Sequence, residues 1–194
     1  MIPSQSDIAK RKLNRDKLAK KITEDGHLKE NELIRIVRKA IDSAWMTAAN
    51  KLVFLEDRVI HDMNPATRTK WLVECNQCGK MFKLADVQID HRIGEFACTN
   101  REEFYSYILS RLDIGFDDLQ VLCIPDHEIK TLSERLSITF EEARVEKSVI
   151  AIAKMKASQI DAWLKERGVS CTKNPLARRN AIRDVLNKEM NKYE

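Results

Sequence analysis

Apolar residues recur at helical spacing over residues 31–49, where Leu33, Val37, Ile41, Ala44, Trp45 and Ala48 fall on one face. That pattern predicts a helix whose stripe packs into a core. Upstream, residues 6–24 carry a thinner apolar stripe among many lysines and arginines, which predicts a basic helix. A short helix is expected over 51–61. It is closed by the loop "HDMNPATRT", because Asn64 and Pro65 interrupt helix. From Trp71 the period changes. "KWLVEC" and "GKMFKL" predict short strands around a turn, and "DVQIDH" alternates with Val87 and Ile89 on one side. Residues 100–114 predict a helix with Phe104, Ile108 and Leu112 on one face, and "LQVLC" predicts a further strand. "PDHEIKTLSERL" opens a helix with Pro125 in its first turn, where the missing N–H costs nothing, so His127 lies near a helix N-terminus. Residues 140–167 are expected to be mostly helical, with Gly168 as C-cap. "VSCTKNP" is then a turn and "LARRNAIRDVLNKEM" a last helix. Its apolar stripe is Ile182 and Leu186, and Arg178, Arg179 and Arg183 line another face.

These elements predict an α+β chain in three segments: a basic helical stretch at 1–70, a mixed core at 71–139 and a basic helical stretch at 140–194. Composition agrees with a globular chain, since 43% of the 194 residues are hydrophobic and 33% charged. Net charge changes the picture. The total of +4 divides into +5 over 1–73, −5 over 74–140 and +4 over 141–194. Two basic arms suit a polyanion such as DNA, and an acidic centre suits a divalent cation. Ordinary solvated surface gives the same pattern. No apolar run reaches the ~18–20 residues of a membrane span. The first residues lack the apolar core of a secretory signal, so no membrane and a cytoplasmic location are expected.

Five cysteines are present. Cys75 and Cys78 form a Cys-x-x-Cys knuckle, and Cys98, Cys123 and Cys171 are scattered. In a reducing compartment this favours metal over disulfide. A structural zinc takes four ligands in a tetrahedron. Cys75, Cys78 and Cys123 supply three thiolates, and Asp126 is in place to supply a carboxylate oxygen; free thiols without metal are the alternative. Asp90 and His91 are neighbours on a strand and point to opposite faces. Opposite faces suit in-line displacement at phosphorus, where the attacking water and the leaving oxygen lie on opposite sides.

The order of these residues resembles a known family, the HNH or His-Me finger endonucleases. The family pattern is a zinc-binding CxxC, a strand ending in Asp-His, then Asn-Leu-Gln followed by Leu-Cys-x-x-Cys-His-x-x-Lys-Thr. Here it reads Cys75-Asn76-Gln77-Cys78, then Val87-Gln88-Ile89-Asp90-His91, then Asp118-Leu119-Gln120-Val121-Leu122-Cys123-Ile124-Pro125-Asp126-His127-Glu128-Ile129-Lys130-Thr131. The resemblance covers residues 71 to 135. The stretch from Ile34 to Trp45 and the "RTKW" before the knuckle also look like phage-borne, homing-type members. Two positions depart from the pattern: Asp118 stands where the family has Asn, and Asp126 where it has a fourth Cys.

The resemblance implies a zinc-stapled ββα-metal core between the two helical segments, and metal-dependent hydrolysis of DNA phosphodiester bonds that leaves 5′-phosphate and 3′-hydroxyl ends. Asp90 and His127 would bind the catalytic Mg²⁺ or Mn²⁺, His91 would be the general base, and Asp118 would position it. Lys130 would touch phosphate. Arg178, Arg179 and Arg183 are candidate DNA contacts from the last helix, with plain packing as the alternative. The competing expectation is a zinc-stabilised DNA-binding protein whose nuclease centre is inactive.

Overall fold

The computed structural model describes residues 4–94, 98–170 and 174–190. It is an α+β chain, about 61% helical. Contacts divide it into two units, one of residues 1–72 and 89–121, the other of residues 73–88 and 122–194. The division runs through the 71–139 segment instead of along its ends. Strands β2 (Trp71–Glu74), β4 (Val87–His91) and β5 (Leu119–Cys123) each pass from one unit to the other. Two small sheets result among the described residues: β1 (Ile60–His61), β2 and β3 (Met81–Lys83) in that order, and a β4–β5 pair.

The first unit holds α1 (Gln5–Ala19), α2 (Glu30–Trp45), α3 (Ala49–Glu56) and α4 (Phe104–Leu112). α1 starts at a capping box, in which the Ser4 hydroxyl accepts the Asp7 N–H and the Asp7 carboxylate turns back on Ser4. The helix expected over 6–24 ends at Ala19, and no residue of α1 is buried. α2 packs against α4. The expected stripe of α2 converges on Trp45, its one buried residue, while Leu33, Val37 and Ile41 are half-buried. In α4 the buried residue is Tyr107, and the expected stripe of Phe104, Ile108 and Leu112 is half-buried. The physical reason is polar: a buried tyrosine needs a partner for its hydroxyl, and Tyr107 finds one in the Asp42 carboxylate at 3.3 Å. The short helix expected over 51–61 lies at Ala49–Glu56 and buries Phe54.

The second unit holds β3, α5 (Ile124–Leu136), α6 (Phe140–Ala153), α7 (Ala157–Glu166) and α8 (Pro175–Met190). Thr139 and Glu142 form the capping box that starts α6. Gly168 ends α7 as expected: at φ +72° it lets the Val169 N–H fold back onto the Leu164 carbonyl. The turn expected over "VSCTKNP" falls partly outside the described residues, and Cys171 with it. α5 packs on α6 and α6 on α8. Val145, Val149, Ile160, Leu164, Ile182 and Val185 are buried together, so the inner face of α8 is Ile182 and Val185 with Leu186 half-buried at its edge.

Glu146 is buried within this helical layer. Burial works to raise its pKa, but hydrogen bonds and charge from Arg183 and Arg179 outweigh that and hold it below the usual carboxylate value. Arg183 places both Nε (3.0 Å) and Nη2 (2.8 Å) on one carboxylate oxygen, and Arg179 takes the other. Removing the charge leaves two guanidiniums facing a neutral group. We expect Glu146→Gln to lose about 1–3 kcal/mol, between the values for an exposed pair and a buried one, because both arginines are more than a third exposed. The pH dependence has a sign. A lowered folded pKa stabilises above the unfolded value of 4.5, and that stabilisation drains away as pH falls through the lower folded value. Urea melts between about pH 6 and about pH 3 check this: that part of the acid-induced loss should be missing from Glu146→Gln.

Candidate functional site

The knuckle follows β2. Its turn is closed by the Gly79 N–H on the Cys75 carbonyl and the Cys75 N–H on the Lys80 carbonyl, both at 2.9 Å. The turn needs a left-handed residue, and Gly79 supplies it at φ +66°. The other half of the site is the corner where β5 becomes α5. Cys123 is the N-cap, in extended conformation, and its N–H points at Cys75 Sγ at 3.3 Å. Pro125 stands in the first turn as expected. Asp126 follows in the same turn. Its Oδ2 is 3.3 Å from Cys75 Sγ and 3.2 Å from Cys123 Sγ. Leu122 and half-buried Phe82 pack around the two sulfurs. Ligand atoms of Cys75, Cys78, Cys123 and Asp126 all lie within 4.8 Å of one another, and this group could hold a metal ion.

The electrostatics suit a cation. Burial raises the Asp126 pKa, yet the thiols of Cys123, Cys78 and Cys75 donate to its carboxylate, Arg144 adds charge, and the balance holds it ionised below the usual value. Burial pushes the Cys123 thiol up to about 12, against the opposing pull of the Asp126 backbone N–H. Burial pushes Cys78 up as well. The Cys123 and Cys78 thiols, which resist ionisation beside an ionised carboxylate, leave one negative charge for a metal to meet, and a metal converts them to thiolates by displacing protons.

The Asp-His pair ends β4 in the first unit. The strand alternates as expected: Ile89 and His91 are buried and Asp90 is half-buried. The side-chain amide of Gln120 lies 3.4 Å from Asp90 Oδ2 and 3.3 Å from the His91 carbonyl, tying β5 to the end of β4. The His91 ring is 5% exposed and tilts 36° against Trp45 with centroids 4.8 Å apart. Its Nε2 lies 3.3 Å from the Arg111 carbonyl. A carbonyl only accepts, so that contact puts the proton on Nε2 and the lone pair of the neutral ring on Nδ1. The Arg111 guanidinium is fixed 2.9 Å from Asp42.

The remaining expected residues sit as follows. Asp118 is exposed at the end of a 3-10 turn, and what it contributes to β4 is its backbone carbonyl, which accepts the Arg92 N–H at 2.7 Å. His127 is half-buried in the first turn of α5 in the second unit, and its carbonyl accepts the Thr131 hydroxyl at 2.9 Å. Lys130 pairs with Glu134 one turn on. Arg178 pairs with Asp161 at 3.1 Å, and Arg179 and Arg183 with Glu146. Gln120 and Arg111 were not expected at the site, and Trp45 was expected only as core packing. Gln120 stands inside the Leu-Gln of the motif, which was a usable signal. Trp45 and Arg111 come from distant helices and carried none. Comparison of the chain with family models, with curated proteins and with solved structures finds no match in any of the three.

If the four-residue group holds a metal, part of the folding free energy is metal binding. Asp126→Ala should then lower both metal retained against chelator and the melting temperature. Asp126→Cys should raise both, since a fourth thiolate replaces a harder oxygen. Metal uptake should also release protons and tighten as pH rises, because Cys123 must lose a proton held to about 12. Elemental analysis of the purified protein and chelator melts at two pH values read these outcomes.

Proposed function

We propose that the chain is a metal-dependent DNA endonuclease of the HNH type, hydrolysing phosphodiester bonds to 5′-phosphate and 3′-hydroxyl ends, with the four-residue group as a structural zinc site. The observation that carries this reading is an arrangement in chain order. A strand ending in Asp90-His91 pairs with β5, β5 runs directly into α5, and the metal-capable group forms at that β5–α5 corner. This is the β-β-α order that the resemblance leads one to expect, with the CxxC knuckle and its partners brought together.

Zinc fits the donor set. Bonds of about 2.3 Å to sulfur and about 2.0–2.2 Å to oxygen make a tetrahedron with edges of roughly 3.5–3.8 Å. The sulfur–oxygen separations of 3.2 and 3.3 Å are already close to that, and the widest separation in the group, 4.8 Å, needs to close by about one ångström. Three sulfurs and one oxygen suit zinc over Mg²⁺ or Ca²⁺, which prefer all-oxygen shells.

For catalysis, a bound Mg²⁺ or Mn²⁺ supplies positive charge that stabilises the transition state and the leaving 3′ oxygen. Asp90, and His127 by the resemblance, are its proposed ligands. Gln120 keeps the Asp90 carboxylate oriented. His91 takes the proton of the attacking water at Nδ1, the nitrogen left basic by the Arg111 carbonyl. Water oxygen bonds to phosphorus as the bond to the 3′ oxygen breaks. Arg178, Arg179 and Arg183 would meet DNA from side chains already paired with Asp161 and Glu146.

One observation favours a second reading, a zinc-stabilised DNA-binding protein with an inactive centre. His91 is 5% exposed and stacked on Trp45, and Asp118, its proposed positioning residue, is exposed. Plasmid nicking separates the two. The nuclease reading requires Mg²⁺- or Mn²⁺-dependent conversion of supercoiled to open-circle plasmid. His91→Ala should cut that rate by ~10²-fold or more with DNA binding retained. Asp90→Ala should weaken activation by Mn²⁺. A pure protein that binds duplex but never nicks it under either metal establishes the second reading instead.

A further inference from the structure

Beside His91 lies a lysine that neither the motif nor the charge pattern singled out. Lys51 opens α3, and its ammonium stands over the Trp45 ring, 5.0 Å from the centroid. Trp45 meets the His91 ring at 4.8 Å. The indole thus has contacts with both an ammonium and the imidazole. Lys51 is paired with no carboxylate among the described residues; its Nζ has only the Met46 sulfur at 4.0 Å. Nearby acidic charge is already committed, since Asp42 holds the Arg111 guanidinium and the Tyr107 hydroxyl.

The lysine is also held in place. The side-chain amide of the preceding residue, Asn50, donates to the carbonyls of Leu112 and Ile114 at 3.0 and 3.1 Å, and its oxygen accepts the Lys51 N–H at 2.9 Å. α3 is therefore fastened to the end of α4, the helix whose Arg111 carbonyl orients His91. Burial and then the Arg111 charge depress the Lys51 pKa, and among the described residues no carboxylate pairs with the half-buried ammonium. A lysine on the outside of a helix gains nothing from such a place. A lysine that meets an anion there does.

We propose that Lys51 is a phosphate-binding residue, which contacts the DNA backbone at the scissile phosphodiester or its immediate neighbour and so holds the strand beside His91. The inference rests on the DNA substrate of the reading above. Its ligand class is the phosphodiester monoanion, read without base preference.

The test uses the whole zinc-loaded protein with no added Mg²⁺ or Mn²⁺ and no chelator, so that the structural site stays filled and no cleavage is needed. A limiting amine acetylating reagent is applied with and without a short duplex, and acetylation of each lysine is followed by peptide mass spectrometry. Lys51 should be modified readily in the free protein and several-fold more slowly with duplex bound. Lys51→Met should lower the slope of log affinity against log salt by about one and weaken unrelated duplexes equally. Lys51→Arg should restore the slope, and the melting temperature of all three should agree if the role is contact and not packing. If Lys51→Met fails to fold, the footprint on the natural chain still decides. Bound duplex that leaves Lys51 unprotected overturns the inference and leaves the nuclease reading standing. Protection of Lys51 in a protein that never nicks plasmid keeps the phosphate contact but overturns its placement at a scissile phosphodiester, together with the nuclease reading. A chain that binds no duplex overturns both.

Discussion

A carboxylate buried among thiols is the constraint around which the second unit is arranged. Asp126 is 6% exposed, and a carboxylate out of water must be answered by donors or by a cation. The protein part of the answer is two buried cysteines, the knuckle's second cysteine and Arg144 on α6. Each comes from a different stretch of chain, so satisfying one side chain brings the knuckle, the β5–α5 corner and α6 together. The corner is fixed in the same act: Cys123 is at once the N-cap of α5, a donor through its N–H to Cys75 and a neighbour of Asp126. Anything carried by the first turns of α5, His127 and Lys130 included, inherits its position from that arrangement.

The second buried charge, Glu146, does for α6 and α8 what Asp126 does for the corner. Two forks close on it from α8, and Asp161 on α7 takes the third arginine of the same helix. A basic helix face looks like a polyanion surface in sequence, but here its guanidiniums are already paired with carboxylates of the same unit. In the second unit, net charge of a segment is thus a poor guide to where an anion binds. The Lys51 ammonium, which has no carboxylate partner among the described residues, is the proposed place for an anion in the first unit.

Local pattern made much of this legible. The change of period at Trp71 located the strands, Pro125 and Gly168 located helix ends, and the CxxC spacing with Cys123 and Asp126 gave the four residues that converge. These succeed because a turn, a cap or a metal knuckle is decided by residues close in sequence. What stayed illegible was decided at long range. Periodicity fixes which residues of a helix share a face but not what covers the face. It gave α8 an arginine face without showing Glu146, 33 and 37 residues away, beneath it. It put Phe104 and Ile108 inward in α4 where Tyr107 is the buried residue, because Asp42, 65 residues earlier, waits for its hydroxyl.

The same limit applies at the Asp-His pair, with a consequence for chemistry. Strand alternation correctly separates Asp90 from His91, one half-buried and the other buried. It says nothing about which ring nitrogen carries the proton, and the base reading turns on that. The choice is made from α4 by a main-chain oxygen, which no substitution of Arg111 can remove. Replacing Arg111 therefore changes the grip on Asp42 and leaves the tautomer-setting acceptor in place, whereas moving the end of α4 moves the acceptor itself. Asn50 pins that end through the Leu112 and Ile114 carbonyls, so a residue with no titratable group has leverage over the protonation geometry of a histidine on another element.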